Sequence, residues 1–516
     1  MLGIGIDDMF VIIQCWETLT EEQKKQSHVK KFGLTMQHAG TAITVTSVTD
    51  VIAFATGGFT VLPALRSFCI YASLGIVAIY IFQCTFFFAI FSLDQRRQDA
   101  RRNAFSICFV HKEDYKPNTW SQTNIQKYIF EKVSIMLTNI YVKIIVLVIT
   151  AIMLGIGLWG NVLLKQKFDP AWFLPPGTYL ADWFKLNREL FPAHGERVTI
   201  YFNDINLPMD LDKVESLVNI LEAKEDILHE MDSWTTKYTE WMNKNQFLQQ
   251  NKTINQIDES LFRTTLVQWL YSPGGAPYQG KFTFDSEIKC GKDAPDIHLF
   301  EITFTHQLFN GPKESIPAMN AVKKAIKDYN FTGRVFAEAI GYAAWETDEV
   351  ISFELYRNIL MALVCVLLVT LFFICDFVGA TIIIGSVLFT LVNVGGYMHF
   401  WNLTIDTVSC INLIIAIGLC VDYSAHIVHR FLGETGSRND RVMVTVQNMG
   451  PAVFDGGFST FLAVILLSMS QSHVFITFFK IFFLVVFFGL YHGLVFLPVV
   501  LTIFGPANDL KVKSAD

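Results

Sequence analysis

The stretch Gly418-Leu-Cys-Val-Asp422-Tyr-Ser-Ala-His426-Ile-Val-His429-Arg430-Phe places ionisable side chains inside an apolar run that begins near Thr407. About 20 such residues are enough for a helix to cross a bilayer. At helical spacing Asp422, His426 and His429 occupy positions i, i+4 and i+7, so one helix face carries all three. A carboxylate at bilayer depth costs roughly 2.5 to 3.5 kcal/mol, so Asp422 is expected to face a bundle interior or a water path.

The composition of the whole chain agrees with a membrane protein. The chain has 516 residues, of which 52% are hydrophobic, and 46 of them are Phe. Such a chain is too apolar for a soluble enzyme of this size, and a polytopic α-helical membrane protein is predicted. The net charge of -7 is modest and no long block of one sign occurs, so no nucleic-acid partner is expected. Of the nine cysteines only Cys290 falls in a large polar region, which argues against a disulfide framework within the chain.

Apolar runs and polar segments alternate along the chain and predict nine spans. The first apolar run is short for a span, and a chain that starts inside a longer protein is expected. The predicted organisation is residues 1–93 as three helices, the first truncated; 94–138 as a cytoplasmic linker; 139–163 as a transmembrane helix; 164–352 as an α+β domain; 353–504 as a five-helix transmembrane bundle; and 505–516 as a cytoplasmic tail.

The polar region 164–352 shows the periodicities of a folded α+β domain. Strands are predicted at Arg197–Asn203, 296–306 and 333–339, from the alternation of apolar and polar residues. Helices are predicted at 210–227 and 315–329, with a helical insertion at about 230–271. Two β-α-β-like passes around such an insertion predict a ferredoxin-like domain.

The basic residues of the short loops set the orientation. They follow the first, third and seventh spans and recur at the chain's end, and all four groups lie on one side if nine helices alternate. That side is predicted to be cytoplasmic, which puts domain 164–352 in the extracellular or lumenal space. Three Asn-x-Ser/Thr sequons, at Asn251, Asn330 and Asn402, fall on the outer side and are candidate glycosylation sites. A multi-pass protein of the plasma membrane or an endomembrane is expected.

An internal repeat relates the two halves of the membrane region. Gly3-x-x-x-Asp7 opens the first span and Gly418-x-x-x-Asp422 recurs in the seventh. In each half a basic connection and a helix with an internal acid follow, and these acids are Asp50 and Asp455. Two halves with the same acidic helix pair imply a pseudo-twofold bundle with sites near the repeat interface, as in many secondary transporters.

Several motifs together resemble a known family. They are Gly3-Ile-Gly-Ile-Asp7-Asp8-Met-Phe10, Thr46-Ser-Val-Thr-Asp50, Leu62-Pro-Ala-Leu-Arg66, Val421-Asp-Tyr-Ser-Ala-His426 and His492-Gly-Leu-Val-Phe-Leu-Pro498. The chain resembles Patched domain-containing and Patched-related proteins, the sterol-sensing-domain branch of the resistance-nodulation-division superfamily. The resemblance implies a twelve-helix fold with two extracellular domains, of which this chain is the C-terminal portion, starting in the fourth helix. Residues 1–93 then correspond to the rear part of the sterol-sensing domain.

The same resemblance implies an ion-coupling site. Asp7 and Asp8 match the family's acidic pair, and Asp422 and His426 occupy the counterpart in the tenth helix. His426 is expected to pair with and release Asp422; the alternative is a fixed structural pair. Asp50 and Asp455 are secondary candidates, whose alternative role is to fix helix packing. His429 is interpreted as an interfacial residue and His492 as a structural one.

Three functions stay open at this stage. The leading hypothesis is an ion-gradient-coupled permease for sterol or another lipid, with H+ or Na+ as the coupling ion and no cofactor. The rivals are a non-transporting receptor or scaffold, whose outer domain binds a lipid or protein ligand, and an inactive truncated fragment. No Walker loop, zinc-ligand spacing or nucleophile elbow occurs in the sequence, so an enzyme and a metal centre are not predicted. The sequence does not indicate an oligomeric state.

Overall fold

The structure is a computed structural model that describes residues 2–104, 108–111, 125–167, 169–191, 195–247 and 258–507. The chain divides into two compact units. One, the membrane unit, comprises Met1–Gln166 together with Ile351–Asp516, and the other, the α+β domain, comprises Lys167–Val350.

Among its described residues, the front part of the membrane unit contains five helices and a one-turn helix at Glu21–Lys24. They are α1 (Leu2–Glu17), α2 (His28–Gly57), α3 (Pro63–Asp99), α4 (Ile125–Thr138) and α5 (Ile140–Leu163). The α+β domain contains α6 (Tyr179–Leu190), β1 (Arg197–Asn203), α7 (Leu207–Glu222), β2 (Leu228–Asp232), α8 (Trp234–Lys244), α9 (Glu259–Leu270), β3 (Phe282–Phe284), β4 (Ile297–His306), α10 (Pro312–Asp328) and β5 (Arg334–Glu338).

The rear part of the membrane unit follows the domain. Its helices are α11 (Ile340–Ile374, which begins within the domain), α12 (Phe377–Phe400), α13 (Thr407–Gly433), α14 (Arg438–Ile465) and α15 (His473–Phe504). Eight helices of the described chain are long and apolar enough to cross a membrane, namely α2, α3, α5 and α11 to α15, with α14 extended to Met469 by a short 3-10 turn. Helix α1 has 16 residues and falls below that length.

Polar side chains cap the N-terminal ends of two spans, α13 and α14. The Asp406 carboxylate accepts from Ser409 N at the start of α13, and Ser409 Oγ accepts from Asp406 N in return. Ser437 and Asp440 form the same reciprocal box at the start of α14. Such boxes satisfy backbone N–H groups that a helix end otherwise leaves unpaired. Helix α13, rich in small residues, then runs through the interior with almost every side chain buried.

Two spans depart from α geometry at matching places. Helix α3 contains a π-helical segment at Gln83–Phe87, and α15 contains one at His492–Phe496. Each segment starts on a buried polar residue, which is Gln83 in the first and His492 in the second. These helices are the third of each half, so the internal repeat extends to this local irregularity.

The α+β domain is built on one antiparallel sheet with strand order β2-β4-β1-β5, and β3 pairs with β4 off that path. With α7 between β1 and β2 and α10 between β4 and β5, this is the ferredoxin-like topology, and the prediction is confirmed. Strand β1 alternates as predicted, and its buried residues Val198, Ile200 and Phe202 pack into the domain core.

The predicted helices begin three residues later than α7 and α10 do, and two larger differences from the structure occur within the domain. Helix α7 ends at Glu222 rather than at 227, because a turn closed by Leu228 N on Lys224 O leads into β2. Strand β2 lies at the start of the region interpreted as a helical insertion, and it pairs with β4 through a bulge between Leu228 and Glu230. The insertion proper consists of α8, α9 and the short strand β3.

The segment predicted as a cytoplasmic linker ends in a packed helix. Helix α4 lies along α14: Phe130 packs at Gly450, and Ser134 accepts a hydrogen bond from Gln447 Nε2 at 3.1 Å. Lys143, one turn into α5, donates to Asn439 Oδ1 at 2.9 Å. Helix α4 is therefore part of the membrane unit, although its length of 14 residues is too short for a span.

Candidate functional site

Four carboxylates from both halves of the repeat gather inside the membrane unit. Asp7 and Asp8 come from α1, Asp50 from α2 and Asp422 from α13, and all four side chains are at most 5% exposed. They lie close enough for their charges to act on one another. We call these four residues the acidic cluster. The structure thus brings together the three predicted ion-coupling aspartates and one of the two secondary candidates.

The members of the acidic cluster differ in their hydrogen bonds. Asp8 accepts from Thr46 Oγ1 at 3.2 Å and from Ser47 Oγ at 3.5 Å. In the described chain both oxygens of Asp7 and Asp50, and Oδ1 of Asp422, are buried without a partner. A buried charge without partners is costly, so these oxygens are suited to bind a proton or a cation.

Two unpaired carboxylates of the first half pack directly against glycines of the second half. A Cβ atom on Gly456 of α14 would overlap the carboxylate of Asp7, and one on Gly418 of α13 would overlap that of Asp50. Each of these contacts joins a helix of the first half to a helix of the second. The acidic cluster therefore lies at the interface of the repeats, where the internal repeat in the sequence predicts a site.

Two polar side chains beside the acidic cluster were not predicted from the sequence. Tyr423 follows Asp422 directly; its hydroxyl is buried with no partner among the described atoms, and it feels the charges of Asp7 and Asp422. Gln83, at the π segment of α3, donates to Gly5 O at 2.6 Å, one turn from Asp8. The adjacency of Tyr423 to Asp422 was a signal for the first, whereas nothing in the local sequence singles out Gln83.

His426 does not pair with Asp422, despite the i, i+4 spacing. Both of its ring nitrogens are buried without a hydrogen-bond partner in the part of the chain that is described, and the side chain is 1% exposed. Neither the fixed pair nor the paired state of a switch is therefore present in this conformation. The ring instead lines a narrow pocket together with Ala42, Val45, Ile374, Ala425 and His429.

Asp455 lies apart from the acidic cluster, although the repeat equates it with Asp50. It is partly buried and accepts a hydrogen bond from Gln126 Nε2 of α4 at 2.5 Å. Its neighbour Gly456 faces Asp7, so residues 455 and 456 of α14 point to different partners. The helix-packing role predicted as the alternative for Asp455 agrees with this contact.

The remaining candidates lie outside this site. His492 is buried and bonded within the bundle: its Nδ1 lies 2.9 Å from Thr390 Oγ1, and its Nε2 lies 3.4 Å from Asn393 Nδ2. Of the sequons, Asn330 and Asn402 are exposed, and Asn251 lies outside the described residues. Glycosylation at these positions stays a prediction. Within the described ranges no group of three or more His, Cys, Asp or Glu side chains is arranged to hold a metal ion.

This fold, with an acidic cluster between repeated halves and a ferredoxin-like domain outside, defines a multi-pass membrane protein of the resistance-nodulation-division type. Two family descriptions match the chain. The "Sterol-sensing domain of SREBP cleavage-activation" matches residues 1–112, and the MMPL family matches residues 211–515. The chain belongs to the MMPL family and is a Patched- and NPC1-like member of that superfamily, as the sequence motifs predicted.

Curated relatives agree with this assignment. The chain is 30% identical over 381 residues to a Niemann-Pick type C1-related protein of Toxoplasma gondii, covering 72% of this chain and 30% of the relative. It is 23% identical over 573 residues to the NPC intracellular cholesterol transporter 1 of Sus scrofa, covering 100% of this chain and 44% of the relative. Patched-related protein 9 of Caenorhabditis elegans is 22% identical over 519 residues, covering 99% of this chain and 58% of the relative. The chain thus spans less than half the length of the first two.

A solved structure shares the fold. The hedgehog release protein Disp from the water bear Hypsibius dujardini aligns with a TM-score of 0.63 at 14% identity, covering 98% of this chain and 62% of the Disp chain. At this identity the likeness concerns the fold alone. The family and the spans together make the chain a multi-pass membrane protein with a lumenal or extracellular α+β domain.

Proposed function

We propose that this chain takes part in the ion-gradient-coupled movement of sterol or another lipid, with the acidic cluster as its coupling site. The observation that carries the proposal is the set of unpartnered carboxylate oxygens of Asp7, Asp50 and Asp422 between the two repeats. The printed names of relatives, which include an intracellular cholesterol transporter, support a lipid as the cargo.

The coupling follows from the cost of buried charge. Several carboxylates in one dry interior cannot all remain ionised and uncompensated, so H+ or Na+ binds and leaves as the helices move. Each elementary charge that crosses the membrane field gains about 2.3 kcal/mol per 100 mV. An energy of this size is enough to bias an equilibrium between two packings, and the contact of Asp7 with Gly456 places one of these charges between α1 and α14.

The contacts of Asp7 and Asp50 link the charge state to helix packing. When the carboxylates are neutral, they can rest on Gly456 and Gly418 without a counter-ion. When they are ionised, the same buried positions leave the charge without a hydrogen-bond partner, and water or a cation is needed. Alternation between these two packings would expose a lipid path to opposite sides in turn.

The test is gradient-dependent lipid movement in proteoliposomes that contain the purified chain. Fluorescent sterol and fluorescent phospholipid are followed separately, under a pH gradient, a Na+ gradient and no gradient. Asp422→Asn is expected to reduce the gradient-dependent rate about tenfold or more, since the substitution removes a carboxylate that can bind and release the coupling ion. Asp455→Asn is the matched control, because this carboxylate lies in the same bundle but outside the acidic cluster.

The two variants separate the coupling role from general damage to the fold. Equal losses in both variants would argue against the acidic cluster as the coupling site. Binding of sterol by the wild type without any movement, under every gradient, would favour the non-transporting receptor. Both variants are compared at matched reconstitution and matched thermal stability.

A further inference from the structure

A narrow pocket lies along α13 beyond Asp422, in the direction of the C-terminal end of that helix. Ala42 and Val45 of α2, Ile374 of α11, and Ala425, His426 and His429 of α13 line it. Because the α+β domain is lumenal or extracellular and α11 runs inward from it, Ile374, the last residue of α11, marks the cytoplasmic side. The two imidazoles are the polar lining of an otherwise apolar space.

Titratable side chains follow one another along this route. His426 lies four residues beyond Asp422 on α13, about 6 Å along the axis, and His429 lies about 4.5 Å further. His426 and His429 are close enough for their charges to interact, and His429 likewise feels His38 of α2. Burial falls steadily outward, since His426 is fully buried, His429 is half-buried and His38 is exposed.

The bonding state of His426 is what a proton carrier requires. A neutral imidazole has one nitrogen that accepts a proton and one N–H that gives a proton away. In His426 both atoms lack partners within the described chain, so neither function is blocked. The ring of His492 contrasts with it, because Thr390 and Asn393 hold its two nitrogens.

The charged groups around the pocket are engaged elsewhere. Arg430 of α13 acts on His429 and forms an ion pair with Glu434 at 2.6 Å. At the start of α12, Asp376 caps its own helix through Gly379 N, and Arg441 of α14 donates to Phe431 O and Pro506 O. His38 of α2 interacts electrostatically with His429, and apart from His426 and His429 the residues that line the pocket are uncharged. The histidines are therefore the groups that can accept a proton along this route.

We propose that His426, His429 and His38 form a proton path between the acidic cluster and the cytoplasm. This inference rests on the proposed function and names its coupling ion as the proton. In the step toward the cytoplasm the protonated Asp422 carboxyl gives its proton through an intervening water to a nitrogen of His426 and becomes a carboxylate, because the two side chains are not hydrogen-bonded to each other. The imidazolium then releases a proton from its other nitrogen to His429, directly or through water, and His38 passes it to cytoplasmic water. No electron is transferred, and each histidine returns to its neutral form.

The test measures proton arrival at the carboxylates, independently of lipid movement. Inside-out vesicles containing the full chain receive a pH jump on the cytoplasmic face, and infrared spectroscopy follows the carboxyl band of buried aspartic acids. His429→Ala is expected to slow this signal about tenfold or more, within the range for loss of a positioned acid–base group. Imidazole added on the cytoplasmic face is expected to restore the rate, which a purely structural role of His429 would not allow.

Further variants guard the interpretation. His38→Ala is expected to slow the signal only about threefold, because water replaces an exposed proton carrier more easily. His399→Ala, at the outer end of α12, is expected to leave the rate unchanged. His429→Gln, which keeps much of the side-chain volume, replaces His429→Ala if that variant does not fold.

The outcomes separate this inference from the proposed function. A normal infrared rate in the folded His429 variant, or a slowed rate that imidazole does not restore, overturns the proton path. The absence of any carboxyl signal in wild type overturns it too, and points to Na+. If the His429 variant is slow and imidazole restores its rate, while the wild type moves no lipid, the proton path is supported and lipid transport is rejected.

Discussion

The two compact units bury aspartates in opposite ways. In the α+β domain the side chain of Asp210 is fully buried, and it accepts hydrogen bonds from Thr332 N at 2.7 Å, Thr332 Oγ1 at 2.6 Å and Lys213 Nζ at 2.7 Å. In the membrane unit Asp7 and Asp50 are equally buried, yet no described atom bonds to their oxygens. The first arrangement stabilises a fold, whereas the second leaves carboxylate oxygens free to bind and release a proton or a cation.

The same contrast holds for two buried histidines. His306 of β4 lies 3.0 Å from Ile227 O, which can only accept, so its Nδ1–H donates and its Nε2 accepts from the Tyr342 hydroxyl at 2.9 Å. His426 has neither bond. Hydrogen-bond partners therefore separate the structural groups from those proposed to be functional better than burial does, because all of these side chains are buried.

The largest effect on stability is expected where a partnered charge is removed. Asp210→Ala leaves Thr332 N without its acceptor and removes the carboxylate paired with Lys213, and it should lower the free energy of unfolding of the α+β domain by about 2 to 3 kcal/mol. Hydrogen exchange of the sheet amides in the full chain measures this. Asp226→Ala, at an exposed position, should change stability by less than about 0.5 kcal/mol.

The pH dependence of that contribution has a definite sign. Burial by itself raises the pKa of Asp210, but the hydrogen bonds from Lys213 and Thr332 outweigh it and hold the pKa below its ordinary value. The stabilisation is therefore present above the unfolded-state pKa of about 4 and lost as the pH falls through the lower folded-state value. A domain whose stability did not fall in this acidic range would contradict the assignment.

The next effect concerns the glycine beneath an unpartnered carboxylate. Gly456→Ala puts a Cβ onto the carboxylate of Asp7 and should lower stability by about 2 kcal/mol. Combination with Asp7→Ala should recover about 1 kcal/mol or more, since the clash is then gone. Thermal unfolding of all three variants gives this coupling energy. Gly385→Ala, which meets open space on α12, is the control, and equal losses at Gly385 and Gly456 would refute the contact.

A smaller effect is expected from the partnered histidine. Burial lowers the pKa of His306 below its ordinary value of 6.5, against the opposing effect of the Ile227 carbonyl. The unfolded chain therefore binds a proton that the folded domain does not, and stability falls as the pH drops below 6.5, by at most about 1.4 kcal/mol per pH unit. Hydrogen exchange of β4 between pH 7 and 5 measures it, and His306→Gln should flatten the profile.

The smallest effect is expected at Asp455. Gln126→Ala removes its hydrogen bond and should cost about 1 kcal/mol of stability while lipid movement stays within about twofold. Thermal unfolding and the proteoliposome assay measure the two quantities. A large loss of movement at unchanged stability would return Asp455 to the coupling site and weaken the contrast between partnered and unpartnered carboxylates.

Residue periodicity and the position of charged residues in apolar runs were enough to predict several features of the structure. Strand β1 was predictable at Arg197–Asn203 because a half-buried strand alternates, and Asp422 was noticeable because it interrupts an apolar run. The ferredoxin-like order followed from two such strand and helix pairs. Strand β2 was missed because it has five residues and a bulge, which is too short a signal for alternation.

Contacts between distant helices were not predictable from local pattern. Gly456 faces Asp7 across 449 residues of sequence, and only the packing of α1 on α14 decides that. The i, i+4 rule suggested a bond between Asp422 and His426, yet the neighbours of α13 direct the two side chains elsewhere. The repeat suggested that Asp455 mirrors Asp50, but Asp455 instead accepts a hydrogen bond from Gln126 of α4.

The paired π-helical segments at Gln83–Phe87 and His492–Phe496 also bear on the history of the chain. A π turn holds one residue more than an α turn, so each segment amounts to a single inserted residue. Deleting one residue there would rotate everything beyond it by about 100° and turn lipid-facing side chains toward the protein. Since both halves have the insertion in their third helix, the simplest origin is an ancestral half that already contained it before duplication.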